Sequence, residues 1–186
     1  MSPSPYFTIP FLLIVAILQS TAAPRLIVAG VRPDLMFVFV TAWTMLAAFR
    51  ARELQYVDEP PTLWRGINDG VVWAFTGGIF LDLLSGAPLG TSALALMLAA
   101  MAAGIFGVGI AAAAPILMII IVPIGTFIYH LIFLTEVALA GRPAFWSYAV
   151  TKVILPSVVF NLALFPVAYL LLSPLSRRTE RERLQW

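Results

Sequence analysis

Between Leu83 and Thr135 the chain contains no Asp, Glu, Lys or Arg, an unbroken run of 53 residues. About a quarter of the residues of an ordinary soluble domain are charged, so a run of this length without one restricts where it can be stable. A helix crossing a bilayer needs about 20 mainly apolar residues, within a range of about 17–25. The run therefore has room for two spans, and the glycines of GIFGVG at 104–109 read as the turn between them. Composition agrees with this environment: 61% of the 186 residues are hydrophobic and 11% charged, with a mean hydropathy of +0.98. The expected class is an all-α integral membrane protein with one membrane domain over residues 1–175.

The other spans follow from where charge is absent. The first 24 residues are uncharged, which predicts a helix near Tyr6–Ala23. No Lys or Arg precedes it, so it reads as a retained helix rather than a cleaved secretory leader. A second uncharged run lies between Asp34 and Arg50, with charged ends able to reach the headgroups. The polar stretch RARELQYVDEPPTLWRG separates it from a third helix near Ile67–Leu84. The last span is expected at about Lys152–Leu172, before a short basic tail at 176–186. Six helices result, with five as the runner-up because no charge fixes the turn inside the long run.

With six spans, Arg50, Arg52, Arg65, Arg177, Arg178, Arg181 and Arg183 share the side of the N-terminus. These are seven of the eleven basic residues; Arg25, Arg32, Arg142 and Lys152 lie on the other side. Basic residues concentrate in cytoplasmic loops, so both termini are expected in the cytoplasm. The net charge of +2 gives no support to nucleic-acid binding, and the chain has no cysteine for disulfides or thiolate metal sites.

Two small-residue ridges stand out. Gly66, Gly70, Ala74, Gly78 and Asp82 recur every four residues, with Gly86 beyond them, and Ala95, Ala99, Ala103 and Gly107 repeat the pattern on the next helix. Small residues allow close backbone approach, which matters in lipid, where burial of apolar surface does not drive association. Either the two ridges pack on each other or one forms a groove for a partner's helix. Asp82 interrupts an apolar helix. It is read as a cap on the SGAPLG turn, as an ion-pair partner of Arg32, Arg142 or Lys152, or as a partner-binding residue. Gln19 and Asn161 need hydrogen bonds between helices. Pro123, Pro156 and Pro166 are expected to kink theirs.

His130 is the one histidine, with Thr126 a turn before it. It is read as a neutral hydrogen-bonding residue, because no second His, no Cys and no nearby carboxylate in sequence completes a metal set. Gly90-Thr91-Ser92-Ala93 matches the loose Gly-x-Ser-x form of an intramembrane serine nucleophile, with His130 as a conceivable base. It reads more simply as a turn and helix start. The SGAPLG glycines lack the Lys-Ser/Thr of a P-loop.

Leu18-Gln19-Ser20-Thr21, Pro24 and Gly30-Val31-Arg32-Pro33-Asp34-Leu35 together resemble the opening of the rod shape-determining protein MreD family. The stretch from Gly77 to Gly90, GGIFLDLLSGAPLG, resembles that family's most recognisable block, and Asn161 with Pro166 and the basic tail fit as well. The resemblance covers nearly the whole chain, apart from the loop at 50–66 and the GIFGVGIAAAAP stretch. It implies a non-enzymatic, multi-pass scaffold of the bacterial inner membrane, part of the elongation machinery that controls cell shape. The implied partner is MreC, and through it the MreB filaments, the polymerase RodA and its penicillin-binding transpeptidase in peptidoglycan synthesis. No cofactor is implied. The helical architecture of that family is also similar to the substrate-binding subunits of energy-coupling-factor transporters. Partner-binding or structural candidates are Gln19, Pro33, Asp34, Gly77, Gly78, Asp82, Gly86, Pro88, Gly90 and Asn161. A small-molecule binding or transport subunit is the alternative reading, and an intramembrane serine hydrolase the remote one.

Overall fold

The computed structural model describes residues 5–25, 32–53, 63–86, 88–109 and 114–183, with side chains over 6–25, 32–49, 67–86, 88–105 and 119–176. The described residues are helical apart from short turns: α1 (Pro5–Thr21), a 3-10 turn (Ala23–Arg25), α2 (Leu35–Glu53), α3 (Leu63–Ser85), α4 (Thr91–Gly109), α5 (Ala114–Leu139), α6 (Trp146–Ala149) and α7 (Leu155–Arg183). A π-helical segment, Val150–Ile154, joins α6 to α7. Four stretches are long and apolar enough to cross a membrane: Tyr6–Arg25, Ile67–Ser85, Ile119–Leu139 and Trp146–Ser176. Shorter apolar helices, Leu35–Phe49 and Thr91–Ile105, alternate with them.

Only 22–44% of each long apolar stretch is buried. Ile14, Phe75, Ile119, Val159 and Leu170 are among the large apolar side chains left outside. In water such surface would be an aggregation hazard; against acyl chains it is the expected exterior. The fold is thus that of an all-helical, multi-pass membrane protein. Its interior is drawn mainly from α2, α3 and α4. Trp43 of α2 and Trp73 of α3 stack at 4.4 Å with their planes 5° apart. Phe11 of α1 packs on Trp73 at 5.6 Å and on Phe39 at 5.4 Å.

The small residues hold these helices close. A Cβ on Gly70 would collide with the Thr44 side chain, and one on Gly77 would lie 2.5 Å from Met36 Sδ. One on Gly78 would collide with Ala93 Cα and lie 2.5 Å from Ala93 N. The α3 ridge is therefore divided: Gly70 faces α2 and Gly78 faces the first turn of α4. Ala95, Ala99 and Ala103 are buried as expected. These pairings also set the sense of the helices, since Met36 meets Gly77 while Thr44 meets Gly70, an antiparallel arrangement. Gly78 beside Ala93 and Gly104 beside Ile67 make α3 and α4 antiparallel too.

The turn expected at GIFGVG is corrected by the structure. Residues 104–109 are helical to Gly109, and α5 starts at Ala114. The physical reason is that Gly104 serves close packing: a Cβ there would lie 2.7 Å from Ile67 Cγ1. Glycine in a membrane helix marks a contact as often as a break. The last helix starts earlier than expected, at Trp146, and its backbone stays helical past residue 176 to Arg183. Its π segment ends just before Pro156, and Leu155 N–H donates to Val150 O. A ring that would clash with the preceding turn is accommodated by widening that turn. Most of the polar loop at 50–66 lies outside the described residues.

Candidate functional site

The buried side chains of Asp82, Ser92, Thr126 and Asn161 gather at the end of the bundle where α1 and α3 finish and α2 and α4 begin. A helix start leaves its first amides without intrahelical acceptors, and in an apolar interior each must find one. The start of α2 is served by two other helices. Leu35 N–H donates to Oε1 of Gln19 from α1 at 2.7 Å. Asp34 N–H donates to Oδ1 of Asn161 from α7 at 3.3 Å. Asn161, fully buried, uses its other end as well: Nδ2 donates to Thr126 Oγ1 on α5 at 3.2 Å. Thr126 Oγ1 in turn donates to Val122 O at 2.7 Å. Each amide and hydroxyl atom in this chain has a donor facing an acceptor, which fixes the orientation of the Asn161 side chain.

Asp34 also meets His130, whose Nε2 lies 3.3 Å from Asp34 Oδ2. Nδ1 of the ring is 2.9 Å from Thr126 O. A carbonyl oxygen only accepts, so Nδ1 carries a proton. Nε2 and Oδ2 stand at ion-pair distance, and Oδ2, though buried, makes no hydrogen bond. Tyr129 stacks edge-on to the ring, with centroids 5.2 Å apart. The expectation that no carboxylate accompanies His130 is corrected here: Asp34 stands against it, brought from another helix by tertiary packing. No group of three or more His, Cys, Asp or Glu side chains is placed to hold a metal among the described residues.

Asp82 sits at the second corner, with 2% of its surface exposed. Its Oδ2 accepts from Gly90 N–H at 2.8 Å and its Oδ1 from Ser92 N–H at 2.9 Å. Of the roles open in the sequence, the structure places it as the cap of the SGAPLG turn and the start of α4. Leu94 N–H bonds to Gly90 O, and Thr91 N–H to Pro88 O at 3.2 Å. Gly86 and Gly90 adopt φ of +66° and +99°, a region costly to residues with a Cβ. Ser92 is buried at this corner. Both ring nitrogens of His130 are directed elsewhere, to Thr126 O and Asp34, so the structure does not assemble the Ser92–His130 pair that a hydrolase needs.

The two corners are neighbours. On adjacent residues of α3, Gly77 lies against Met36 near the start of α2 and Gly78 against Ala93 in the first turn of α4. Pro33 is buried beside Asp34. Gly77 and Gly78 pack on α2 and α4, while Gly86 and Pro88 are exposed on the turn. Thus Gln19, Asp34 and Asn161 come together, Asp82 and Gly90 come together, and one end of the bundle holds both sets. Sequence reasoning missed the partnership of His130 with Asp34; nothing local to either residue announces it. Comparison with family models, curated proteins and solved structures returns no match.

Proposed function

We propose that this chain is a non-enzymatic scaffold of a bacterial plasma membrane, crossing it six times with both termini in the cytoplasm. Its role on this reading is to hold an MreC-type single-span protein and so help couple MreB filaments to peptidoglycan synthesis and cell shape. The observation that carries the reading is the use made of the two family-like blocks. Gln19 and Asp82 of these blocks serve as caps for the starts of α2 and α4, and the turn after Asp82 is presented outward. Leu83, Leu84 and Leu89 are exposed there by 64%, 45% and 70%, beside the exposed Ser85, Gly86 and Pro88. A rigid, partly apolar corner at the membrane surface suits docking of another helix or its flanking segment.

Asp82 on this reading acts from within, by fixing the turn, and does not itself touch the partner. The six-span topology follows from counting α2 and α4 as spans alongside the four longer stretches. The test is capture from native membranes with a photo-crosslinker at Leu89. A single-span, coiled-coil protein is the expected adduct, and a crosslinker at Ile119, near the start of α5, should not yield it. Equal capture at both positions, or co-purification of a small molecule with no protein adduct, would overturn the scaffold reading; the second result would favour the transport subunit.

A further inference from the structure

The corner between α5 and the last helix differs from the rest of the lipid-facing surface. Helix α5 closes in a Schellman turn: Gly141, at φ +74°, donates to Ala138 O at 3.0 Å, and Arg142 N–H donates to Val137 O at 3.2 Å. That turn leaves Arg142 exposed at a defined position. Phe145, Trp146 and Tyr148 follow, exposed by 72%, 44% and 65%. Together with Ser147, Thr151 and Lys152 they line an open groove of about 540 Å³. Among the described residues neither Arg142 nor Lys152 has an ion-pair partner.

Below the groove the surface becomes purely apolar. Tyr148 lies before the π segment, Lys152 within it and Leu155 and Val159 beyond it, and all four are exposed along the last helix. Its upper part is aromatic and cationic and its lower part aliphatic. Trp and Tyr favour the headgroup level of a bilayer, and a lysine near a span's end extends its ammonium to that level. The last helix therefore presents rings and a charge together at one end and chain-binding surface beyond them, as a phospholipid presents its headgroup and glycerol above its acyl chains.

We propose that this corner is a binding site for an anionic phospholipid. Lys152, supported by Arg142, takes the phosphate and the anionic headgroup; Trp146 and Tyr148 flank the glycerol; one acyl chain lies along Leu155 and Val159. The two unpaired cations select an anionic lipid, and the aliphatic continuation selects a lipid over a soluble phosphate. This inference is independent of the scaffold reading.

The test uses the full chain, purified in neutral detergent and delipidated, then titrated with phosphatidylglycerol or phosphatidylcholine of matched acyl chains. Lipid retention is measured by native mass spectrometry. Each cation near the headgroup should contribute about fivefold in preference, so phosphatidylglycerol should be retained at least about fivefold over phosphatidylcholine. Arg142→Gln with Lys152→Gln should bring the ratio near one, and Lys152→Arg should keep it. Leu155→Ser with Val159→Ser should weaken retention of both lipids. All four positions are exposed, and matching thermal unfolding midpoints would establish that the variants are folded. If a variant does not fold, the wild-type ratio and its response to inorganic phosphate still decide. A wild-type ratio near one, an unchanged ratio in the folded double variant, or complete displacement of the lipid by inorganic phosphate would each overturn the proposal.

Discussion

The two corners at one end of the bundle meet the same need with different chemistry. The start of α4 is capped by a carboxylate from the helix just before it, over separations of eight and ten residues. The start of α2 is capped by neutral amides, from Gln19 sixteen residues before it and from Asn161 at a separation of 127. The first corner is a local hairpin whose cap is strong because the acceptor is charged. The second is a junction of α1, α2, α5 and α7, where each bond is weaker but ties distant parts of the chain. Local strength and long-range closure thus fall to different corners of the same end, and substitutions should affect them in different ways.

The largest effect is expected from Asp82→Ala. It leaves two amides at a buried helix start without acceptors, and hydrogen bonds to a charged group are worth about 1.5–3 kcal/mol each. Reversible unfolding in micelles should show a loss of about 3–5 kcal/mol, with hydrogen exchange accelerated first around 86–94. Asp82→Asn keeps one carbonyl acceptor and should lose roughly half as much. Full stability in Asp82→Ala would mean that the carboxylate is not the cap. On the proposed function, Asp82→Asn should also weaken capture of the MreC-type partner while the chain stays folded.

Asn161→Leu comes next, at about 2–3 kcal/mol. The shapes are similar, but Asp34 N–H loses its acceptor in the interior, and the tie to Thr126 is removed. The signature should differ from that of Asp82→Ala: protection should fall at the start of α2 and along α7 together, while the α3–α4 hairpin stays protected. Loss confined to α7 would break the comparison, because the second corner would then not be acting as a junction.

Gly78→Ala tests the packing beneath the first corner. The added methyl meets the Ala93 backbone, which cannot turn aside, and overpacking typically costs about 1–3 kcal/mol. Gly77→Ala is the control. Its obstacle is the flexible Met36 side chain, and alanine gains about 1 kcal/mol of helix propensity over glycine. Thermal unfolding should therefore show Gly78→Ala destabilised by about 1–2 kcal/mol and Gly77→Ala changed by less than about 1 kcal/mol. Equal effects would mean that α3 and α4 can separate slightly without loss.

How much of this is legible in the sequence depends on separation along the chain. The small-residue spacing on α3 and α4 marks a packing surface because it needs only the helical repeat. Asp82 is recognisable as a possible cap because its turn and partners lie within ten residues. Gln19 and Asn161 are recognisable as needing interhelical partners, but not as caps of α2, since that requires knowing which helix starts lie beside them. The Asp34–His130 contact is invisible locally, because neither residue has a distinctive neighbour. GIFGVG misleads because glycine has two uses in a membrane helix, and only the position of Ile67 decides between them. Pro156 signals a disturbance, yet whether a helix kinks or widens into a π turn is settled by its packing.

The smallest expected effect is that of Gln19→Leu, and it is the sharpest test of the second corner. Gln19 supplies one neutral hydrogen bond, to Leu35 N–H, from a partly buried position. Such a bond contributes about 1 kcal/mol, and leucine adds apolar surface that suits the lipid-facing side of α1. Global stability should therefore fall by no more than about 1 kcal/mol. What should change is the attachment of α1: Phe11 and the Trp43–Trp73 stack still hold its middle, so its C-terminal end alone should loosen. Amide exchange should then rise for residues 17–25 and at Leu35, with residues 8–14 and the α3–α4 hairpin unchanged. If exchange rises along the whole of α1, the aromatic contacts do not suffice to hold it, and Gln19 matters more than its single bond implies. If exchange does not change anywhere, water or another acceptor replaces Gln19, and the start of α2 is held by Asn161 alone.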